Sequence, residues 1–350
     1  MTQIIKINEN DIKNQDIEKL KKCAESLKKG NLVIFPTETV YGIGASALDE
    51  KAAKKIFIAK GRPNDNPLIV HVSSIQMIND ICYDINNIEQ KIIDTFFPGP
   101  ITLILKRKNI IPDYVTASLD TVGIRMPENK IAQKLIELAN IPVAAPSANI
   151  SGKPSGTLID DIIDEFNTKV DYIIDGGISK IGVESTVVKV IDNVVNILRP
   201  GKISPEDFEK AGFLVKLDKN AFKSVETVEK VESPGMKYRH YAPKAKTILV
   251  ESGNDIQKVK LIKEDLKKYN GKIAVMGFKE HEKHFKDINV EFLNIGSVND
   301  LLEISKNIFT TLRKVDKDNI DICYIEGVEK KGIGIAIMNR LIRASGGNII

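Results

Sequence analysis

STVVKVIDNVVNILRP, residues 185–200, decides the fold class. Two apolar runs of strand length flank Asp192-Asn193, a turn-forming pair that suggests a hairpin. Upstream, extended and helical patterns alternate. DIEKLKKCAESLKK (16–29) carries apolar residues at helical spacing and stops at Gly30. NLVIF (31–35) reads as a short buried strand ending at Pro36, DEKAAKKIFIAK (49–60) as a helix and LIVHV (68–72) as a strand. ITLILKR (101–107), VGIRM (122–126) and PVAAP (142–146) are apolar runs of strand length, with helical IAQKLIELAN (131–140) between the last two. DYIID (171–175) adds another before the Gly176-Gly177 turn. A hairpin among alternating elements predicts a mixed α/β sheet rather than a purely parallel one.

Residues 214–246 change character. They show little periodicity, contain two prolines and hold the aromatic-basic cluster KYRHY (237–241), so they read as an ordered linker. Beyond it the alternation restarts. TILVES (247–252), KIAVMGF (272–278), VEFLNIG (290–296) and IDICYIE (320–326) are strand-like, and 254–268, 299–314 and 334–344 are helical. This predicts a small doubly wound domain. The expected division is a first domain over 1–213, a linker or lid over 214–246 and a second domain over 247–350.

A chain of 350 residues, 42% hydrophobic and 28% charged, has ample material for two ordinary cores. Its 51 basic and 47 acidic residues leave a formal charge of +4, too small to mark a dedicated nucleic-acid binder. Cys23, Cys82 and Cys323 lack metal or redox spacing, which fits idle thiols in a reducing compartment. The polar N-terminus does not read as a signal peptide, and no run approaches the ~18 apolar residues of a membrane span. The expectation is a soluble, cytoplasmic protein.

Chemistry-bearing residues gather where strands end. FPTETVYGIGAS (35–46) leaves a buried strand through hydroxyls and glycines, which suits either a binding loop or a capped connection. Its Gly42-Ile43-Gly44 lacks the third glycine of a dinucleotide fingerprint. In AKGRPNDNPLIVHV (59–72), Lys60 and Arg62 follow a helix, where cations serve the dipole or grip a polyphosphate with Asn66 nearby. His71 alternates with Ile69 on the next strand, as a core residue or a ligand. Arg125, inside apolar VGIRMPENK (122–130), must pair with an internal acid or with an anionic ligand. APSANISGKPSGT (145–157) is dense in hydroxyls, amides and glycines that can point at an anion, although it is not a P-loop. Ser185 and Arg199 sit at hairpin ends. SPGMKYRHYAPKA (233–245) is a solvated linker or a lid that stacks on a base. His281 and His284 of KEHEKH lack a third ligand and read as surface residues. No HExxH, GxSxG or paired CxxC occurs, which removes support for zinc peptidase and serine hydrolase readings.

In order, PTETVYGIG, KGRPNDNPL, FPGPITLIL, GIRMP, PSANISGKPSGT, ESTVV, LRPG, SPGMKYRHYAP and GIGIAIMNRL resemble the threonylcarbamoyl-AMP synthases built on the YrdC-like domain, in their two-domain form. The resemblance implies an N-terminal YrdC-like, twisted open mixed α/β sheet with a concave basic site, followed by a smaller Rossmann-like α/β domain. It implies a nucleotidyltransferase that makes L-threonylcarbamoyladenylate from L-threonine, bicarbonate and ATP with Mg2+, for threonylcarbamoyladenosine in ANN-decoding tRNA. By analogy Lys60, Arg62, Asn66, Thr121, Ser147, Asn149, Ser155 and Arg199 match ATP contacts, and Tyr238 a linker residue closing over the nucleotide. Thr39, His71, Arg125, Ala145 and Ser185 match the threonine pocket, with Arg125 on the amino acid's carboxylate. Catalysis is expected from positioning, with no protein nucleophile and no side-chain metal ligands. Double-stranded RNA or tRNA contact and a downstream tRNA threonylcarbamoyl transferase are the expected macromolecular partners, with no membrane partner. The competing readings are a tRNA-binding module without chemistry, an ATP-dependent ligase or carbamoyl transferase acting on another amine, and a nucleotide sensor.

Overall fold

The computed structural model describes residues 1–222, 241–251 and 254–350. Its first sheet contains β1 (Gln3–Lys6), β2 (Val33–Phe35), β3 (Gly42–Ser46), β4 (Ile69–His71), β5 (Ile101–Lys106), β6 (Thr121–Arg125), β7 (Val143–Ala144), β8 (Tyr172–Asp175), β9 (Thr186–Ile191), β10 (Val194–Arg199) and β11 (Val215–Leu217). The strand order is β1-β8-β2-β3-β7-β4-β6-β5-β9-β10-β11. Parallel and antiparallel pairs mix, as the hairpin reading requires: β9 and β10 are antiparallel, while β4–β6 and β5–β9 are parallel. Asp192 and Asn193 both take positive φ, 50° and 63°, the geometry of a two-residue turn matched to strand twist.

Two segments differ from the sequence reading. GIGAS (42–46) is a strand, not a connection, because its glycines let it pack flush against β2 and β7. A Cβ at Gly44 would stand 2.7 Å from the Phe35 ring and 2.9 Å from Val143. The first sheet also continues past residue 213: β11, inside the expected linker, pairs in parallel with β10.

The second sheet is parallel throughout, in the order β12 (Lys246–Val250), β15 (Ile322–Glu326), β13 (Ile273–Gly277), β14 (Glu291–Asn294). Period-two alternation sends Leu249, Ala274, Met276, Cys323 and Ile325 to one face. There they meet Ile304, Ile308 and Leu312 of helix Leu301–Lys317 and Ala336, Ile337 and Leu341 of helix Gly334–Ala344. Ile248, Val250, Ile273, Val275, Ile322 and Tyr324 face the other way, onto Val259, Ile262 and Leu266. The two-helix face abuts the first domain, since Val40, Ile181 and Val183 belong to the same core cluster. The domains therefore share apolar packing.

His281 is buried rather than on the surface. Its Nδ1 lies 2.8 Å from Oε1 of buried Glu326, which also accepts the Phe278 N–H. Among the described residues, no helix is long and apolar enough to cross a membrane.

Candidate active site

The register of two short strands builds the centre of the site. His71 ends β4, Arg125 ends β6, and the parallel pairing sets them opposite one another, so both side chains leave the sheet on the same side. The chain beyond β7 then crosses this end. Ala145 N–H donates to Ile69 O, Ile43 N–H to Pro146 O, and Ala148 N–H to Tyr41 O at 2.7 Å. These bonds bring Ala145, Ser147 and Asn149 beside the strand ends, and hairpin β9–β10 supplies Ser185 and Arg199.

Ten of the side chains singled out from sequence line one cleft: Lys60, Arg62, His71, Arg125, Ala145, Ser147, Asn149, Ser155, Ser185 and Arg199. Thr39 is buried immediately behind it, hydroxyl to hydroxyl with Thr37 at 2.9 Å. Asn66 is 1% exposed, and neither amide atom has a hydrogen-bond partner. Thr121 is not among the lining residues. It starts β6, four residues before Arg125, about 13 Å away along a strand. Tyr238 lies outside the described residues.

Arg125 meets an internal acid. Its Nη2 donates to Glu38 Oε1 at 2.7 Å, and Glu38 is itself 2% exposed. The split posed by a buried arginine is thus met first by Glu38, whose other oxygen accepts the Glu128 N–H. Arg125 Nε is buried and has no hydrogen-bond partner. His71 Nδ1 is likewise buried and unpartnered. Burial, then the charge of Arg125, pushes the His71 pKa down to about 3, so the ring is neutral at physiological pH.

Lys60 ends helix Glu50–Lys60, where Gly61 turns the chain with φ 59°. Its Nζ donates to Ser147 O at 2.5 Å, Asn149 O at 2.7 Å and Asn149 Oδ1 at 3.3 Å. All three ammonium protons are therefore engaged. Lys60 acts on the cleft as the cation that holds the 147–149 loop, rather than as a free point charge. Burial and the neighbouring Arg62 press its pKa well below the ordinary lysine range. Arg62 lies over the Phe57 ring at 5.6 Å, donates from Nη2 to Asn66 O at 3.0 Å and keeps Nε without a partner. Arg199 donates to Ser185 O and Oγ, and Ser185 Oγ also shares a 2.8 Å bond with Thr102.

Sequence reasoning passed over Glu38, Glu184 and the contribution of the second domain. Glu184 lines the cleft, accepts from Ser155 Oγ at 2.5 Å and from Arg340 Nε at 2.8 Å. Arg340, on helix Gly334–Ala344, is fully buried and also donates to Pro200 O at 2.9 Å. Burial alone would raise the Glu184 pKa, but Arg340, Arg199 and the two donors outweigh it and lower the pKa to about 2. A signal was present: an acid inside apolar VESTVV demands a partner as strongly as Arg125 does. Tyr241 also lines the cleft, stacked on Phe309 of the second domain at 4.9 Å.

No group of three or more metal-type side chains occurs among the described residues; the cleft acid Glu184 is held by Arg340, and Glu38, buried behind the cleft, by Arg125. The side chains fit an anionic ligand of two parts: unpartnered nitrogens of Arg125 and His71, and a hydroxyl–amide loop with Arg62 and Arg199 in the same cleft.

Comparison with known proteins agrees. Residues 25–201 match the Sua5–YciO–YrdC family model, described as "Telomere recombination", and residues 203–346 match "Threonylcarbamoyl-AMP synthase, C-terminal domain". The chain is 43% identical over 335 residues to the threonylcarbamoyl-AMP synthase of Pyrococcus abyssi, covering 95% of each. The chain belongs to the threonylcarbamoyl-AMP synthase family. Membership makes it an enzyme of threonylcarbamoyl-AMP synthesis. The Bacillus subtilis synthase is 37% identical, over 94% of this chain and 93% of that one. Among solved structures, P. abyssi Sua5 complexed with L-threonine superposes with a TM-score of 0.90 at 43% identity, over 100% of this chain and 99% of the other.

Proposed function

We propose that the cleft joins L-threonine, bicarbonate and ATP into L-threonylcarbamoyladenylate and pyrophosphate, the first step toward threonylcarbamoyladenosine next to the anticodon of ANN-decoding tRNA. The observation that carries this reading is the pairing of His71 with Arg125 at adjacent strand ends, in one cleft with Arg62, Ser147, Asn149, Ser155 and Arg199. A relative of 43% identity has been solved with L-threonine.

In this reading Arg125 Nε and the neutral His71 ring hold threonine's carboxylate and hydroxyl end, with Thr39 and Ser185 behind them. Arg62, Arg199, Asn66 and the hydroxyls of Ser147 and Ser155 hold the triphosphate. Lys60 sets the 147–149 loop and adds positive potential. The threonine amine adds to bicarbonate carbon, and water leaves as the carbamate forms. A carbamate oxygen then attacks the α-phosphorus, and the bond to the β-phosphate oxygen breaks to release pyrophosphate. Such a sequence needs two anions held at reacting distance and their charge offset, not a protein nucleophile. Magnesium would be held by the triphosphate oxygens and would offset their charge. In this reading tRNA and a transferase consume the adenylate.

The test is mass detection of threonylcarbamoyladenylate with pyrophosphate release that requires both threonine and bicarbonate. Pyrophosphate released without threonine, or equally with serine, would reject this substrate assignment. Salt-dependent RNA binding without turnover would favour a binding module.

A further inference from the structure

The outer face of the second sheet is covered by less than a full helix layer. Its opposite face carries two helices, Leu301–Lys317 and Gly334–Ala344, against the first domain. The outer face carries helix Asp255–Asp265. Adjacent parallel strands are usually joined by a crossover helix. Between β13 and β14, however, residues 278–290 form only the 3-10 segment Lys279–His284. Where a second outer helix would lie, a groove of about 820 Å³ runs beside helix Asp255–Asp265. Its floor is apolar, formed by Val259, Leu266, Ile273, Ile288 and Val290. Ile256 stands at its edge with 79% of its surface exposed.

The rim is basic. Lys260 and Lys263 stand one turn apart on the helix, Lys267 follows in the 3-10 turn Leu266–Lys268, and all three line the groove. Lys267 has no hydrogen-bond or ion-pair partner among the described residues, and Lys263 lies 5.9 Å from the Phe285 ring. Lys260 reaches Glu264, the acid that also lines the groove, at a long 3.8 Å. We propose that this groove is the docking site of a protein partner that presents an amphipathic helix with an acidic flank. The apolar stripe of such a helix would complete the outer layer, and carboxylates at helical spacing would meet the three lysines. The apolar floor selects against a nucleic-acid duplex, whose surface offers phosphates but no continuous apolar stripe.

The experiment uses the full chain and a fluorescein-labelled synthetic helix with leucines at i, i+3, i+4 and i+7 flanked by glutamates, read by fluorescence anisotropy. A matched peptide with lysine flanks and a duplex RNA serve as controls. The expected result is saturable binding of the acidic peptide alone. Lys263→Glu with Lys267→Glu, or Ile256→Asp alone, should weaken it about tenfold or more. Threonylcarbamoyl-AMP formation should remain at the wild-type rate in both variants, because none of these residues touches the cleft. That rate also confirms that the variants fold. Absence of binding by the acidic peptide, equal binding of the lysine-flanked one, unchanged affinity in the variants, or displacement by duplex RNA would each overturn the proposal.

Discussion

Replacing Arg340 by methionine keeps most of the side-chain volume but removes the charge that the second domain sets against Glu184. Glu184 then loses its 2.8 Å bond to Arg340 Nε, and Pro200 O loses a donor at 2.9 Å. The Glu184 pKa stands at about 2 against an ordinary 4.5, and that fall corresponds to about 3 kcal/mol of stabilisation of the ionised form. Arg199 supplies part of it, so Arg340→Met does not forfeit the whole amount through Glu184 alone. Leaving a buried carboxylate short of its partner adds to the loss, and removing one member of a buried pair costs about 3–5 kcal/mol.

The expected destabilisation is therefore about 3–5 kcal/mol, measured by urea unfolding followed by far-ultraviolet circular dichroism, since the chain has no tryptophan. A folded-state pKa below the unfolded one gives stability that is present above about pH 4.5 and lost as pH falls toward 2. The gap between wild type and Arg340→Met should accordingly narrow as pH is lowered through that window. Adding Glu184→Gln should recover about 2 kcal/mol or more of the loss, the signature of a coupled pair. A single-variant effect below about 0.5 kcal/mol, or additive effects in the double variant, would refute the reasoning.

Arg125→Ala should raise the threonine KM about a hundredfold or more while ATP affinity stays near wild type, measured by initial rates and by nucleotide titration. An equal loss for both ligands would remove Arg125 from the threonine side. Lys60→Met leaves Ser147 O, Asn149 O and Asn149 Oδ1 short of a donor, so it should cost about 1–3 kcal/mol of stability and weaken ATP binding together. Lys60→Arg should not rescue either property, because a planar fork cannot reproduce three converging bonds. With its pKa pushed down to about 3, His71 should stay neutral from pH 5 to 8 and leave no step near 6.5 in the threonine KM profile. Its depressed pKa removes stability as pH falls from about 6.5 toward 3, and His71→Gln should flatten that part of the unfolding profile.

The mixed sheet was legible because Asp192-Asn193 forces a hairpin where everything around it alternates. The second sheet was legible because its strands are short apolar runs that alternate with helical patterns. β3 was not, because its glycines carry no apolar signal: they are selected by close packing against Phe35 and Val143, a tertiary fact. β11 is only three residues, half-exposed or exposed along its length, and is fixed by pairing with β10 rather than by its own pattern. At the site, local residue types left each segment open between a binding loop and a plain connection; the family resemblance named the residues, and ten of them line one cleft. Glu38 and Glu184 escaped because a buried acid and the arginine that balances it lie far apart in sequence. For Glu184 that arginine, Arg340, belongs to the other domain. His281 was misread for the same reason, since its partner Glu326 is 45 residues away.

The central claim is that one cleft holds an amino acid and a triphosphate side by side, and crystallography of the chain with L-threonine and a non-hydrolysable ATP analogue addresses it directly. The threonine carboxylate should lie at hydrogen-bond distance from Arg125 and its amine within about 5 Å of the α-phosphorus, room for one carbamate carbon between them. Threonine bound away from Arg125 and His71, or phosphates lying outside the space between Arg62, Ser147, Asn149 and Arg199, would contradict it.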